Sequence, residues 1–233
     1  QEEMVMKKLV IFILAGLMLA PMVDARRIRP RAGDLDGNVY TDKSYGFQLT
    51  AHEEWKARVN KDEDRVRLTL TKKNYGIPPD FLNAPDYTKI PRITVFVDTT
   101  SLGAHDFVDS LMSESYESDQ KGDIIKEFEI LQRSSTYDSD IIPRGRSRLE
   151  VDGESGLMWK GQVKYKQIVQ TSASSVGGKL VRSSYGAAIA AVKHGEHIYL
   201  FHVMCEWPYV ATVMAEMEMT VRSVKWTDTP DED

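Results

Sequence analysis

Apolar and polar residues alternate with a period of two along much of the chain. Phe47 and Leu49 stand between polar neighbours, as do Trp55, Ala57 and Val59. Val66, Leu68 and Leu70 repeat the pattern, and Ile93, Val95 and Val97 repeat it again. Successive side chains of an extended strand point to opposite faces, so each set predicts a strand with one apolar face. The period lengthens at Ala104, Phe107, Val108, Leu111, Met112 and Ser115. That spacing predicts a helix with a single apolar stripe, with Ser101 as N-cap and Gly122 at its end. It lengthens again at Val210, Val213, Met214, Met217, Val221 and Val224, a second helix that would open at Pro208.

Two hairpins stand between these helices. Leu149 and Val151 precede Asp152-Gly153, a strong turn dipeptide, and Leu157, Trp159, Val163 and Tyr165 follow it. "YGAAIAAVKHGEHIYLFHVMC" reads as two strands turning at His194-Gly195-Glu196. "DIIKEFEIL", residues 123–131, predicts a strand on the alternation of Phe128 and Ile130, and "TSASSVGGKLVRSS" reads as a flexible polar loop. Hairpins pair strands antiparallel, and a helix with one apolar stripe must cover a sheet face. The expectation is an α+β domain, a central antiparallel β-sheet flanked by helices.

The two ends have a different character. Lys7 and Lys8 precede the apolar run "LVIFILAGLMLA", and Val23 and Ala25 supply small residues before a break. A basic start, a short apolar stretch and a small-residue pair predict a signal peptide over residues 1–25. The run is shorter than the roughly 20 apolar residues that a spanning helix needs. Arg26, Arg27, Arg29 and Arg31 follow directly, and positive charge resists translocation, so an uncleaved anchor over residues 9–23 is the alternative. Residues 26–38 read as a flexible linker, residues 39–227 as one domain, and residues 228–233 as a solvated acidic tail. The expected compartment is extracytoplasmic, periplasmic or secreted, with the membrane reached only through the N-terminal segment.

Composition narrows the function classes. With 42% hydrophobic and 28% charged residues, the chain is outside the disordered range. A formal net charge of −5 and no basic cluster beyond the arginine segment exclude a nucleic-acid footprint. Cys205 is the only cysteine, so no internal disulfide can form and the core must hold the domain together.

Candidate chemistry is sparse. Ser118-Asp119-Gln120-Lys121 has the serine-x-x-lysine spacing, but no Lys-Thr-Gly follows it. Gly153-Glu154-Ser155-Gly156 lacks the spacing of a nucleophile elbow. Asp34, Asp36 and Asn38 fall out of register with a calcium loop, with Tyr45 where the closing glutamate belongs. His52-Glu53-Glu54 lacks the second histidine of a zinc helix. His194, His197 and His202 lie near Cys205, yet positions 202 and 205 point to opposite faces of a strand. No metal, cofactor or catalytic set is expected from these residues.

The segment with most to offer is 74–91, "NYGIPPDFLNAPDYTKIP", a long connection without periodicity. Long loops inside compact domains are usually functional or disordered, and this one is too apolar for a solvated tether. Tyr75, Ile77, Phe81, Leu82 and Tyr87 are its candidate partner-binding residues, with Phe81 and Leu82 buried and Tyr75 and Tyr87 at the rim.

"YTDKSYGFQLTAHEEW", together with the second hairpin, the final amphipathic helix and the closing "VRSVKW", resembles the PsbP-like family and its Mog-type Ran-binding relatives. The family commonly has a proline before the tryptophan, where this chain has Ala51-His52 in the turn. The resemblance covers about residues 40–227. It implies an α/β/α sandwich around an antiparallel sheet, and no activity, since fold analogy does not choose one. The expectation is an exported, non-enzymatic binding or accessory domain with an unknown protein partner. The alternatives are a small-ligand carrier with a cavity between sheet and helices, or a hydrolase using His202 with distant residues.

Overall fold

The computed structural model describes residues 31–61, 65–76, 90–112, 139–169 and 179–227. Its elements are β1 (Asp34–Asp36), β2 (Val39–Asp42), β3 (Phe47–Thr50), β4 (Trp55–Val59), β5 (Val66–Lys72), β6 (Arg92–Thr99) and α1 (Ala104–Met112). Then come β7 (Ser139–Val151), β8 (Glu154–Val169), β9 (Lys179–His194), β10 (His197–Glu206), a 3-10 turn (Trp207–Tyr209), α2 (Val210–Arg222) and β11 (Lys225–Trp226). They form a four-stranded sheet, order β1-β2-β3-β11, and a seven-stranded sheet, order β4-β5-β6-β10-β9-β8-β7, both antiparallel.

The expected α+β sandwich, with one central sheet flanked by helices, is therefore overturned. The chain is mostly β, with two sheets and, among the described residues, two α-helices. Long-range pairing is the reason. β11 comes from the far end of the chain, within the strand-like "VRSVKW", to pair with β3, Trp226 opposite Phe47, and closes a second sheet through a pairing that local pattern does not give. β8 and β9 run 16 residues each, so "KLVRSS" is strand rather than loop. Asp34–Asp36, within the segment read as a linker, pairs with β2.

The seven-stranded sheet is covered on both faces. On one side Leu68, Leu70, Val95, Phe201 and Val203 pack with Tyr40, Phe47 and Leu49 of the small sheet and Val213, Met217 and Val221 of α2. On the other, Phe96, Leu157, Ile189 and Leu200 pack beneath Phe107, Val108 and Leu111 of α1. Burying each such side chain contributes roughly 1.5–3 kcal/mol. β10 lies between the two layers and is buried from Ile198 to Glu206, which is why its sequence is nearly continuous in apolar residues. α2 sits so close to β9 that a Cβ on Gly186 would overlap Val210 Cγ2.

Three details depart from simple alternation. Register shifts between Val66 and Leu68, and this bulge turns Val66 toward α1 while Leu68 and Leu70 face the small sheet. Arg67, beside the bulge, is buried at 1% exposure, and its Nε donates to Asp42 Oδ2 at 2.6 Å. Tyr40 Oη donates to the same oxygen at 2.6 Å, so one ion pair ties the two sheets together. Finally, Pro208 lies within the 3-10 turn and α2 begins at Val210, while α1 begins at Ala104, three residues beyond Ser101. The Asp152-Gly153 turn is as expected, with both residues at positive φ, 46° and 89°.

Candidate functional site

Strand β5 ends in a reversal at Asn74, whose φ of 51° suits asparagine better than a branched residue. The reversal delivers Tyr75 to the end of β10. There its ring meets Tyr209 edge-on, with centroids 5.3 Å apart at 72°. Tyr209 closes the turn Trp207-Pro208-Tyr209, in which all three residues are exposed, Trp207 at 37% and Tyr209 at 42%. The fixed φ of Pro208 holds the two rings apart on a short rigid turn. Arg144, on β7, places its guanidinium 5.6 Å from the centre of the Trp207 ring. Its Nη2 donates to Gln162 Oε1, and Gln162 Nε2 in turn donates to Ser184 Oγ at 2.7 Å. The register shift between Pro143 and Gly145 is what brings Arg144 to this face.

Glu206, the last residue of β10, has no exposed surface and lies near the Tyr75 hydroxyl. Neither carboxylate oxygen, nor the Tyr75 hydroxyl, has a hydrogen bond of normal geometry among the described residues. Burial pushes the Glu206 carboxyl above the usual carboxylate range, and the nearby Tyr75 hydroxyl opposes the shift. The Tyr75 phenol is raised in its turn, first by burial and then by Glu206. Burial also lifts the Cys205 thiol to about 12, with Glu206 adding to the effect, so this cysteine stays protonated and unreactive. A desolvated carboxyl at the end of β10, with the Tyr75 hydroxyl beside it and the exposed Trp207 next in sequence, is a concentration of poorly satisfied polarity among the described residues.

The remaining candidates have structural surroundings. His202 is buried, and burial lowers its pKa to about 4, which leaves it neutral and a poor base in the neutral range. His194 stacks on Trp226 at 4.3 Å and 2°, with Nδ1 2.9 Å from Glu154 Oε1. His197 meets Tyr45 edge-on at 5.1 Å. No group of three or more His, Cys, Asp or Glu side chains could hold a metal ion among the described residues. His52 Nδ1 accepts from the Glu54 amide at 3.3 Å, in a turn leading to Trp55. Ser118 and its companions lie outside the described residues.

Of the five residues expected to bind a partner, Tyr75 is placed in this site, half-buried. Ile77, Phe81, Leu82 and Tyr87 lie outside the described residues. Glu206, Trp207, Tyr209 and Arg144 escaped sequence reasoning. A signal existed: Trp-Pro-Tyr follows a buried strand directly, yet neither ring belongs to the helix stripe that opens at Val210.

No family model and no curated protein matches the chain. Among solved structures it is similar to cyanobacterial PsbP (CyanoP) from Synechocystis sp. PCC 6803, at 13% identity over 83% of this chain and 98% of that one, with a TM-score of 0.46. It is also similar to LpqN, involved in cell envelope biogenesis of Mycobacterium tuberculosis, at 11% identity over 78% of this chain and 83% of that one, TM-score 0.41. A protein from Bacteroides thetaiotaomicron VPI-5482 matches at 12% over 88% of this chain and 51% of that one, TM-score 0.35. At such values the likeness transfers no activity, partner or compartment. Among the described residues no helix is long and apolar enough to cross a membrane. The expected signal peptide and anchor lie outside those residues.

Proposed function

We propose that this is a non-enzymatic binding or accessory domain, exported by residues 1–25, which docks a protein partner through Tyr75, Trp207, Tyr209 and Arg144. The observation that carries the reading is the exposure of Trp207 and Tyr209 on a rigid turn that caps an otherwise buried strand. Tyrosine, tryptophan and arginine dominate the energetics of protein interfaces, because each offers a large contact area together with a polar handle. Aromatic rings already held by Pro208 and by each other lose little freedom on binding. The connection that begins at Tyr75 would extend the surface through Ile77, Phe81, Leu82 and Tyr87.

Photo-crosslinking tests this directly. Benzoylphenylalanine at position 207, in protein expressed in its source cells, should capture one discrete partner, whereas the same group at Lys56 should not. Tyr209→Ser should abolish capture while leaving the thermal midpoint in place. Equal capture from both positions, or none from 207, would remove the docking role. Export is checked separately, because the mature chain should begin at Arg26; a chain that keeps residues 9–23 in the membrane fraction selects the anchored alternative.

A hydrolase reading draws on one observation, the desolvated Glu206 carboxyl, whose raised pKa suits acid–base chemistry. Under the docking reading, Glu206→Gln leaves partner capture intact.

A further inference from the structure

Among the described residues, β7 is the outermost strand of the seven-stranded sheet and pairs only with β8. Residues 144–148 and Glu150 along it are exposed, while Leu149 and Val151 are buried. An edge strand turns a row of backbone N–H and C=O groups toward solvent, a ready template for another extended chain. The open row has defined limits. At one end the Pro143/Gly145 register shift, with Gly145 at φ 138°, interrupts it. At the other, the Glu150 carbonyl accepts from Arg222 Nη1 at 3.4 Å. Between them lies a stretch of about five residues, the usual length of a strand.

Side chains on this stretch select by charge. Arg146 lies opposite Trp159 and Arg148 opposite Leu157, and both partners face α1, so the two arginines project from the same face, two residues apart. Arg146 reaches Asp109 of α1, and Arg148 has no ion pair among the described residues. Two copies pairing edge to edge would set these arginines against one another, and like charges directly opposite destabilise a sheet.

We propose that the 145–149 edge of β7 receives an extended acidic segment of another polypeptide, which adds to the sheet as an eighth strand with carboxylates at alternate positions over Arg146 and Arg148. Main-chain hydrogen bonds supply the register, and the charge-assisted arginine pairs supply the selection. This surface is separate from the aromatic patch, since Arg144 turns to the other face at the bulge.

The probe is a fluorescein-labelled peptide of about eight residues alternating Glu and Val, titrated into the full chain and followed by anisotropy. Saturable binding is expected, with slower amide exchange at residues 146 and 148. The double variant Arg146→Glu, Arg148→Glu should bind about tenfold more weakly or worse, and should take a Lys–Val peptide instead. A Glu–Val peptide N-methylated at alternate amides keeps the charge but cannot pair, and should not bind the wild-type chain. Equal binding of the N-methylated peptide would reduce the edge to a plain anion-attracting surface, which heparin would share, and overturn strand addition. Absence of binding to the wild-type chain, or unchanged affinity in the charge-reversed variant, would overturn it as well.

Discussion

Glu216 and Glu206 are both buried carboxyls beside a tryptophan, and their surroundings differ in every other respect. Glu216, on α2, accepts from Trp55 Nε1 at 2.8 Å and from Lys72 Nζ at 2.7 and 2.8 Å. Trp55 itself is 2% exposed, and the Lys72 ammonium also lies 5.7 Å from its ring centre. Each polar atom there has a partner, and the cluster ties β4 and β5 to the final helix. Glu206 has no such partners, and its tryptophan neighbour stands in solvent. Buried polar groups left unsatisfied cost free energy, so the first cluster reads as an element of the fold and the second as a site held ready for something else.

The contrast can be broken most forcefully at Trp55. Trp55→Ala should destabilise the domain by about 3–5 kcal/mol, because it leaves a cavity and takes a donor from Glu216. Chemical denaturation would show this, and a loss below roughly 1 kcal/mol would mean that Trp55 is not the anchor its burial implies. Next comes the acid itself. Glu216→Ala removes the close partner of the Lys72 ammonium, which is only 14% exposed and keeps Glu54 Oε2 at 3.6 Å; the loss of these hydrogen bonds should cost about 1–3 kcal/mol.

Removing the charge of the other glutamate should act in the opposite direction. The Glu206 pKa is raised on folding, so the folded chain holds its proton to higher pH than the unfolded chain does. Stability from this group is full below the unfolded carboxylate pKa and is lost as pH rises through the folded value. Glu206→Gln should therefore raise the thermal midpoint at pH 8 and change it little at pH 4. A midpoint that falls at pH 8 would show Glu206 to be satisfied after all. The smallest effect belongs to Trp207→Ala, expected within about 0.5 kcal/mol of wild type because the ring is exposed. A large loss there would make the aromatic turn part of the fold and remove the difference between the two sites.

Much of the architecture was readable from local pattern. Alternation at Phe47, Leu49, Ile93, Val95 and Val97 identified buried strand faces, and the spacing of Val213, Met214, Met217 and Val221 identified the buried face of α2. Asp152-Gly153 and His194-Gly195-Glu196 located the hairpin turns, because turn chemistry is carried by adjacent residues. The first residue of the candidate site, Tyr75, was legible for the same reason: it opens an aperiodic apolar stretch.

What local pattern could not supply depends on contacts between distant residues. Arg67 lies in an alternating run and would be taken for a solvent-facing cation; only the bulge at β5 and the arrival of Asp42 make it a buried one. β11 has only two residues, and only their pairing with β3 makes them a strand. Glu206 ends an apolar run like any strand-terminal acid. Its desolvation arises from burial at the end of β10, and burial of a charge is a property of neighbours that sequence does not order. By itself the sequence determined which residues turn inward along each strand and helix, since that follows from backbone periodicity. Tertiary structure alone decided that the chain closes two sheets rather than one, that one glutamate is paired and another is not, and that β7 is left with an open edge, because each depends on which distant segments come to lie side by side.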